Sequence, residues 1–189
     1  VVYDEKTKEP LEGTIDIIDN EKNEIIATFL SNSTTGKYLI PLPSGKNYGI
    51  SVSCKGYLFH SENVDIPASN GYQEITRDIP MVRIEIGSTI ILRNVFFDFD
   101  KATLRQASIN ELQRLIALLR QNPTIRIELG SHTDSKGSDE YNIKLSAARS
   151  KSVVEYLIAN GIPEARLEHK GYGETFPIAP NTKPDGSDD

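Results

Sequence analysis

The chain has 189 residues, enough for one large domain or two small ones at roughly 100 to 200 residues per domain, and 38% hydrophobic with 25% charged residues is a globular composition. Its net charge of −6, from 27 acidic and 21 basic side chains, repels a polyanion at long range and argues against a nucleic-acid partner. The single cysteine, Cys54, excludes an intramolecular disulfide and a cysteine-based zinc site without fixing the compartment, and the longest apolar stretches, such as 84–92, fall short of the roughly 18 residues of a membrane-crossing helix. The sequence opens Val1-Val2-Tyr3, without a methionine or a charged and apolar leader, so it reads as part of a longer protein whose targeting signal lies upstream.

Residues 1–86 repeat short runs rich in β-branched and aromatic residues. These are Thr14 to Ile18, Ile25 to Leu30, Lys37 to Leu42, Tyr48 to Cys54, Asn63 to Ile66 and Thr76 to Met81. Pro10, Asp19-Asn20, Gly36, Pro43-Ser44-Gly45, Gly56 and Asn70-Gly71 separate them at near-hairpin intervals, and no window has a helical period, so this half is expected to be a small all-β sandwich. Tyr48, Ile50, Val52 and Cys54 alternate along one run, which puts Cys54 on an inward face as an inert thiol.

From Gly87 the pattern changes to alternating strand and helix. Ile90 to Phe99 reads as a strand with Val95, Phe97 and Phe99 on one face. Ile109, Leu112, Leu115, Ile116 and Leu119 then mark an amphipathic helix closed off by Pro123, with Ser108-x-x-Glu111 and Thr103-x-x-Gln106 as competing capping boxes. Ile125, Ile127 and Leu129 alternate as a second strand, Ser138 followed by Asp139 and Glu140 starts a second helix that runs to Gly161, and Leu167 to Tyr172 can form a third strand. The order β-α-β-α-β over residues 87–189 requires a partly parallel, mixed sheet covered by helices, an α/β sandwich. Residues 1–86 hold 8 basic and 13 acidic side chains and the remainder 13 and 14, so an anionic ligand approaches the second half more easily.

The turn Ser131-His132-Thr133-Asp134-Ser135-Lys136-Gly137 carries a carboxylate between a strand end and a helix start, where open α/β sheets place ligands. Arg149 lies about three turns into the following helix. The two opposite charges can bracket a zwitterion, Arg149 offering a fork to a carboxylate and Asp134 accepting from an ammonium; equally, they can pair with each other or sit in solvent. His60, His132 and His169 fall on different elements, which speaks against a zinc site, and no Gly-rich phosphate loop, G-x-S-x-G or H-E-x-x-H occurs. No metal and no cofactor is expected.

Two resemblances extend this reading. Asp4 with Lys8-Glu9-Pro10-Leu11-Glu12-Gly13, Thr35-Gly36-Lys37-Tyr38 and Cys54-Lys55-Gly56-Tyr57 resemble the turn and core markers of the carboxypeptidase-regulatory-like (transthyretin-like) sandwich, which implies a scaffold over residues 1–86. Phe97-Asp98-Phe99-Asp100, Ser131-His132-Thr133-Asp134-x-x-Gly137-x-x-x-Tyr141-Asn142-x-x-Leu145-Ser146-x-x-Arg149, Gly161-Ile162, Arg166-Leu167 and Gly171-Tyr172-Gly173-Glu174-x-x-Pro177 closely resemble the OmpA-like C-terminal domain. That family includes peptidoglycan-associated lipoproteins and flagellar stator proteins and binds peptidoglycan through diaminopimelate of the stem peptide. The resemblance implies that Asp134 and Arg149 hold the ligand, that Asp100 lies beside the same pocket, and that Asn142 and Leu145 shape its wall, with Thr133 and Ser135 adding donors. Asp100 can equally cap the turn before the first helix.

The resemblance further implies a periplasmic domain attached to the outer membrane of a Gram-negative bacterium, with envelope-protein partners reached through an upstream region. The sequence departs from the family at Ser131, where glycine is common. It departs again at the end, where Asp185-Gly186-Ser187-Asp188-Asp189 stands in place of an Arg-rich last strand, so that strand is either cut away or absent and a sheet edge is left bare. Two alternatives stand beside the anchor. One is an envelope hydrolase using Asp98, Asp100 and Asp134, which needs one carboxyl with a raised pKa, a requirement that Arg149 opposes. The other is a recognition function for the β half, which shows no clustered ligand set.

Overall fold

The structure, a computed structural model, describes residues 1–68, 71 and 73–175. The turn expected at Asn70-Gly71 falls partly outside these residues, and Pro177, the 181–182 region and the C-terminal acidic run fall outside them altogether. The chain divides into two compact units, Val1–Asn94 and Val95–Asp189.

In the first unit β1 (Val2–Asp4), β2 (Thr14–Asp19), β3 (Glu24–Leu30), β4 (Lys46–Ser53), β5 (His60–Ile66) and β6 (Ile79–Met81) follow in chain order. An antiparallel sheet of order β3-β2-β4-β5 and a parallel pair β1-β6 share one core. That core contains Val2, Ile15, Ile17, Tyr48, Ile50, Val52, Val64, Ile79 and Met81, so period-two alternation along β2 and β4 supplies one wall and the short parallel pair the other. Asp4 closes the end of β1. Its carboxylate is 1% exposed and accepts from the N–H groups of Lys6 and Thr7, each at 2.9 Å, from the Tyr57 hydroxyl at 2.8 Å and from Arg83 Nε at 2.5 Å.

Three strand expectations change here. Residues 37–42 form no ladder. Tyr38, Ile40 and Leu42 still lean on the core, but Pro41 and Pro43 have no N–H to donate to a neighbouring strand. Gly36, at φ 66°, turns the chain where a Cβ would stand 2.2 Å from the Val2 carbonyl oxygen, which excludes any other residue from that turn. The run from Thr76 shrinks to β6, and its partner β1 is too short to show a period. Cys54 lies just beyond β4, half-buried beside the core, with its thiol pushed up to about 11 by burial.

The second unit contains α1 (Ile109–Gln121), β7 (Ile127–His132), α2 (Asp139–Ala159) and β8 (Leu167–Gly173). β7 and β8 pair in parallel, from Ile127 opposite Leu167 to His132 opposite Gly173. α1 buries Leu112, Leu115, Ile116 and Leu119, and ends two residues before Pro123. The strand expected from Ile90 to Phe99 does not form, so the described order is α-β-α-β rather than β-α-β-α-β. Phe96 shows why: its N–H donates to Ser108 Oγ at 2.8 Å, and its carbonyl accepts from that hydroxyl at 3.0 Å and from the Arg105 N–H at 3.0 Å. A side chain and a local turn therefore take the groups a ladder would use, and Phe97 makes only an isolated bridge to Leu104. Ser108 stands at the N-cap position of α1 but spends its hydroxyl on Phe96 instead of on the helix.

Candidate functional site

α2 is positioned first, because it carries most of the site. The Ser138 hydroxyl accepts from the Tyr141 N–H at 3.3 Å, and Asp139 and Glu140 sit in the first turn, where negative charge complements the helix dipole. Along one stripe Asn142, Ser146, Ser150, Val153 and Leu157 are buried. β8 approaches this stripe closely, and the Gly173 N–H donates to Ser146 Oγ at 3.0 Å. At Gly171 a Cβ would lie 2.3 Å from the Ala147 nitrogen and 2.6 Å from Ser146 Oγ, so the absence of a side chain is what lets strand and helix meet.

Three segments converge on the face of α2 beside that stripe. The loop after β7 brings Asp134, the turn after Phe97 brings Asp100 and Lys101, and the helix contributes Tyr141, Asn142, Leu145 and Arg149. Asn142, 1% exposed, ties the loop down: its Nδ2 donates to the Asp134 carbonyl at 3.3 Å and to Glu174 Oε2 at 2.8 Å. Asp134 is exposed and its Oδ1 accepts from the Lys136 N–H at 3.2 Å, which shapes the loop as an Asx turn. The Thr133 N–H donates to the Gly173 carbonyl at 3.0 Å, while its Oγ1 is buried with no hydrogen-bond partner.

Arg149 is the half-buried centre of the group. Its Nε donates to the Lys101 carbonyl at 3.1 Å, and its guanidinium carbon lies 5.2 Å from the centre of the Phe97 ring, a cation–π distance. Burial pushes the guanidinium pKa down, while the charges of Asp100 and then Asp134 pull it up. Among the described residues no carboxylate closes an ion pair with Arg149 within 4.0 Å, so the salt-bridge reading of Asp134 and Arg149 is not realised in this structure. Asp100 is exposed at φ 57°, a left-handed conformation that Asp tolerates, and accepts a hydrogen bond from the Tyr141 hydroxyl. Leu145 is half-buried one turn beyond Asn142, and Ser135 is exposed in the loop.

Four groups received no role in the sequence reading. Phe97 carries the face on which Arg149 lies, the Lys101 carbonyl orients it, Tyr141 ties Asp100 to α2, and Glu174 anchors Asn142. Tyr141 and Glu174 stand inside recognisable motifs, whereas a backbone carbonyl leaves no mark in a sequence. His60 belongs to the first unit, while His132 and His169 lie on β7 and β8. No cluster of three His, Cys, Asp or Glu side chains suited to a metal ion occurs among the described residues. No helix among them is long and apolar enough to cross a membrane.

The sequence model of the OmpA family matches residues 96–188. Photosystem I P700 chlorophyll a apoprotein A2 of Gloeobacter violaceus is 42% identical over 99 residues, which are 52% of this chain and 11% of that protein. Outer membrane protein A of Klebsiella aerogenes is 39% identical over 92 residues, 47% of this chain and 26% of that protein. The chain thus spans between about a tenth and about a quarter of these relatives' length. The peptidoglycan-associated lipoprotein from Burkholderia pseudomallei superposes with a TM-score of 0.45 at 28% identity, covering 49% of this chain and 78% of that one. Residues 96–188, which carry the motifs around Asp134 and Arg149, are thus similar to the OmpA family in sequence.

Proposed function

We propose that the OmpA-like domain binds peptidoglycan non-covalently and holds an envelope protein to the cell wall, in the periplasm beside the outer membrane. The ligand group is diaminopimelate of the stem peptide. Arg149 takes its free carboxylate, Asp134 accepts from its ammonium, Asp100 adds negative charge beside that ammonium, and Thr133, Asn142 and Leu145 form the wall. One observation carries the reading. Arg149 is half-buried within the electrostatic reach of Asp100 and Asp134, steered by Phe97 and Lys101 through its Nε side, with its terminal N–H groups unengaged among the described residues. That arrangement suits an incoming carboxylate, since a pre-oriented guanidinium loses little freedom on forming its fork. The chemistry asked of the site is recognition, without turnover.

The first unit is a carboxypeptidase-regulatory-like spacer in this reading. Co-sedimentation with purified sacculi tests the proposal directly. Wild-type protein should pellet with the wall and release no soluble muropeptides, while Asp134→Ala and Arg149→Ala should stay in the supernatant. Equal pelleting of all three proteins would remove the site.

A further inference from the structure

The first unit contains a polar cleft of its own. His60 and Glu62 stand on β5, opposite Val52 and Ile50 of β4, on the face that also carries the core residue Val64. Apolar side chains belong at those positions; instead an imidazole and a carboxylate are each only 25% exposed. Their mutual approach, 3.5 Å from Nε2 to Oε2, is loose, and Arg77 Nε reaches Glu62 Oε1 only at 4.0 Å. His60 Nε2 and Glu62 Oε1 are consequently shielded from solvent with no hydrogen-bond partner, an arrangement that costs stability and that folded proteins rarely keep without use.

Both residues line an open cleft of about 430 Å³ together with Asn63 and Arg93, a size typical of small-molecule sites. The neighbouring His60 first, then Arg77 and Arg93, hold the Glu62 carboxyl below its ordinary range against the effect of burial. Arg93 is exposed on the rim and makes no ion pair within 4.0 Å among the described residues. Asn63 is braced by hydrogen bonds with Asn20 at 3.0 Å and Asn94 at 2.7 Å, so that wall of the cleft is fixed.

A carboxylate with only loose partners lies on one side, and a guanidinium lacking an anion lies on the other. We propose that the cleft binds a small zwitterion of the amino-acid or dipeptide class, its ammonium donating to the Glu62 carboxylate beside His60 and its carboxylate held by Arg93. A divalent cation on the Glu62 carboxylate would face the positive charge of Arg77 and Arg93, which favours the ligand that brings its own carboxylate. The inference is independent of the function proposed for residues 96–188.

Titration of the full isotope-labelled chain with alanyl-alanine, followed by nuclear magnetic resonance, tests it. Saturable shifts of the His60 ring and the amides of residues 60–63 are expected in the millimolar range. N-acetyl-alanyl-alanine and alanyl-alanine amide, each lacking one charge, should bind at least tenfold more weakly. Glu62→Gln and Arg93→Ala should each weaken alanyl-alanine by a similar factor, and Arg93, being exposed, can be replaced without disturbing the core. No saturable shift at about 100 mM, equal binding of the three peptides, indifference to Arg93→Ala, or shifts produced by zinc but by no dipeptide would each overturn the proposal.

Discussion

At the scale of single residues, Arg149 with Asp134, on one side, and Asp4, on the other, use charge in opposite ways. Arg149 and Asp134 are left available, and a charge-assisted hydrogen bond to a ligand contributes roughly 1.5 to 3 kcal/mol. Either alanine substitution should therefore weaken binding of a diaminopimelate peptide by about tenfold to over a hundredfold, read by calorimetry on protein shown to be folded by its thermal melt. A peptide carrying lysine instead lacks the second carboxylate, so it should bind wild type more weakly while hardly distinguishing wild type from Arg149→Ala; equal affinity of wild type and Arg149→Ala for the diaminopimelate peptide would contradict the site. Asp4, by contrast, is fully engaged. The Thr7 N–H, against the opposing effect of burial, then the Tyr57 hydroxyl, Arg83 and the Lys6 N–H hold its carboxyl well below the usual carboxylate range. A group whose folded pKa is depressed contributes stability that is present above its unfolded value, about 3.9, and is lost as pH falls toward its folded one. The first unit should therefore lose stability as pH drops below about 4, and Asp4→Asn should lower its melting temperature at neutral pH while flattening that acid dependence, both followed by circular dichroism.

At the scale of elements, the parts legible in the sequence were those with a sustained period and capping chemistry. α1 appears where Leu112, Leu115, Ile116 and Leu119 recur, α2 starts after Ser138, and β8 spans the run from Leu167. The segment before Asp100 misled because Val95, Phe97 and Phe99 alternate as a strand does, yet the Ser108 hydroxyl satisfies the Phe96 backbone and Phe99 remains 93% exposed. Periodicity reports which face a residue can occupy; it does not report whether a partner strand is available. The charged residues of the candidate site came from motif resemblance and spacing, whereas the Lys101 carbonyl and the Phe97 face beneath Arg149 emerge only from the folded turn. Packing of β8 on α2 supplies the prediction at this scale. Gly171→Ala forces a methyl into backbone atoms, a strain of about 3 kcal/mol or more. The melting transition of the second unit should fall by about 10 °C or more, with the first unit unaffected in differential scanning calorimetry.

At the scale of the molecule, the chain is two compact units with separate cores, and every residue assigned to wall binding lies in the second. Residues 95–189 alone, once shown to be folded by a thermal melt, should co-sediment with sacculi as well as the full chain. A folded fragment that fails to do so would give the first unit a part in recognition and end its description as a spacer. The first unit has a mechanical property of its own. Its outermost strands, β1 and β6, run parallel, Val2 beside Ile79 and Asp4 beside Met81. A pull on Val1 opposed by a pull on the chain beyond Met81 acts along both strands in opposite directions, so their hydrogen bonds are sheared together instead of being opened one after another. In the anchoring role proposed above the chain would be pulled from both ends, and this pairing meets such a pull in the direction in which hydrogen-bonded strands yield last.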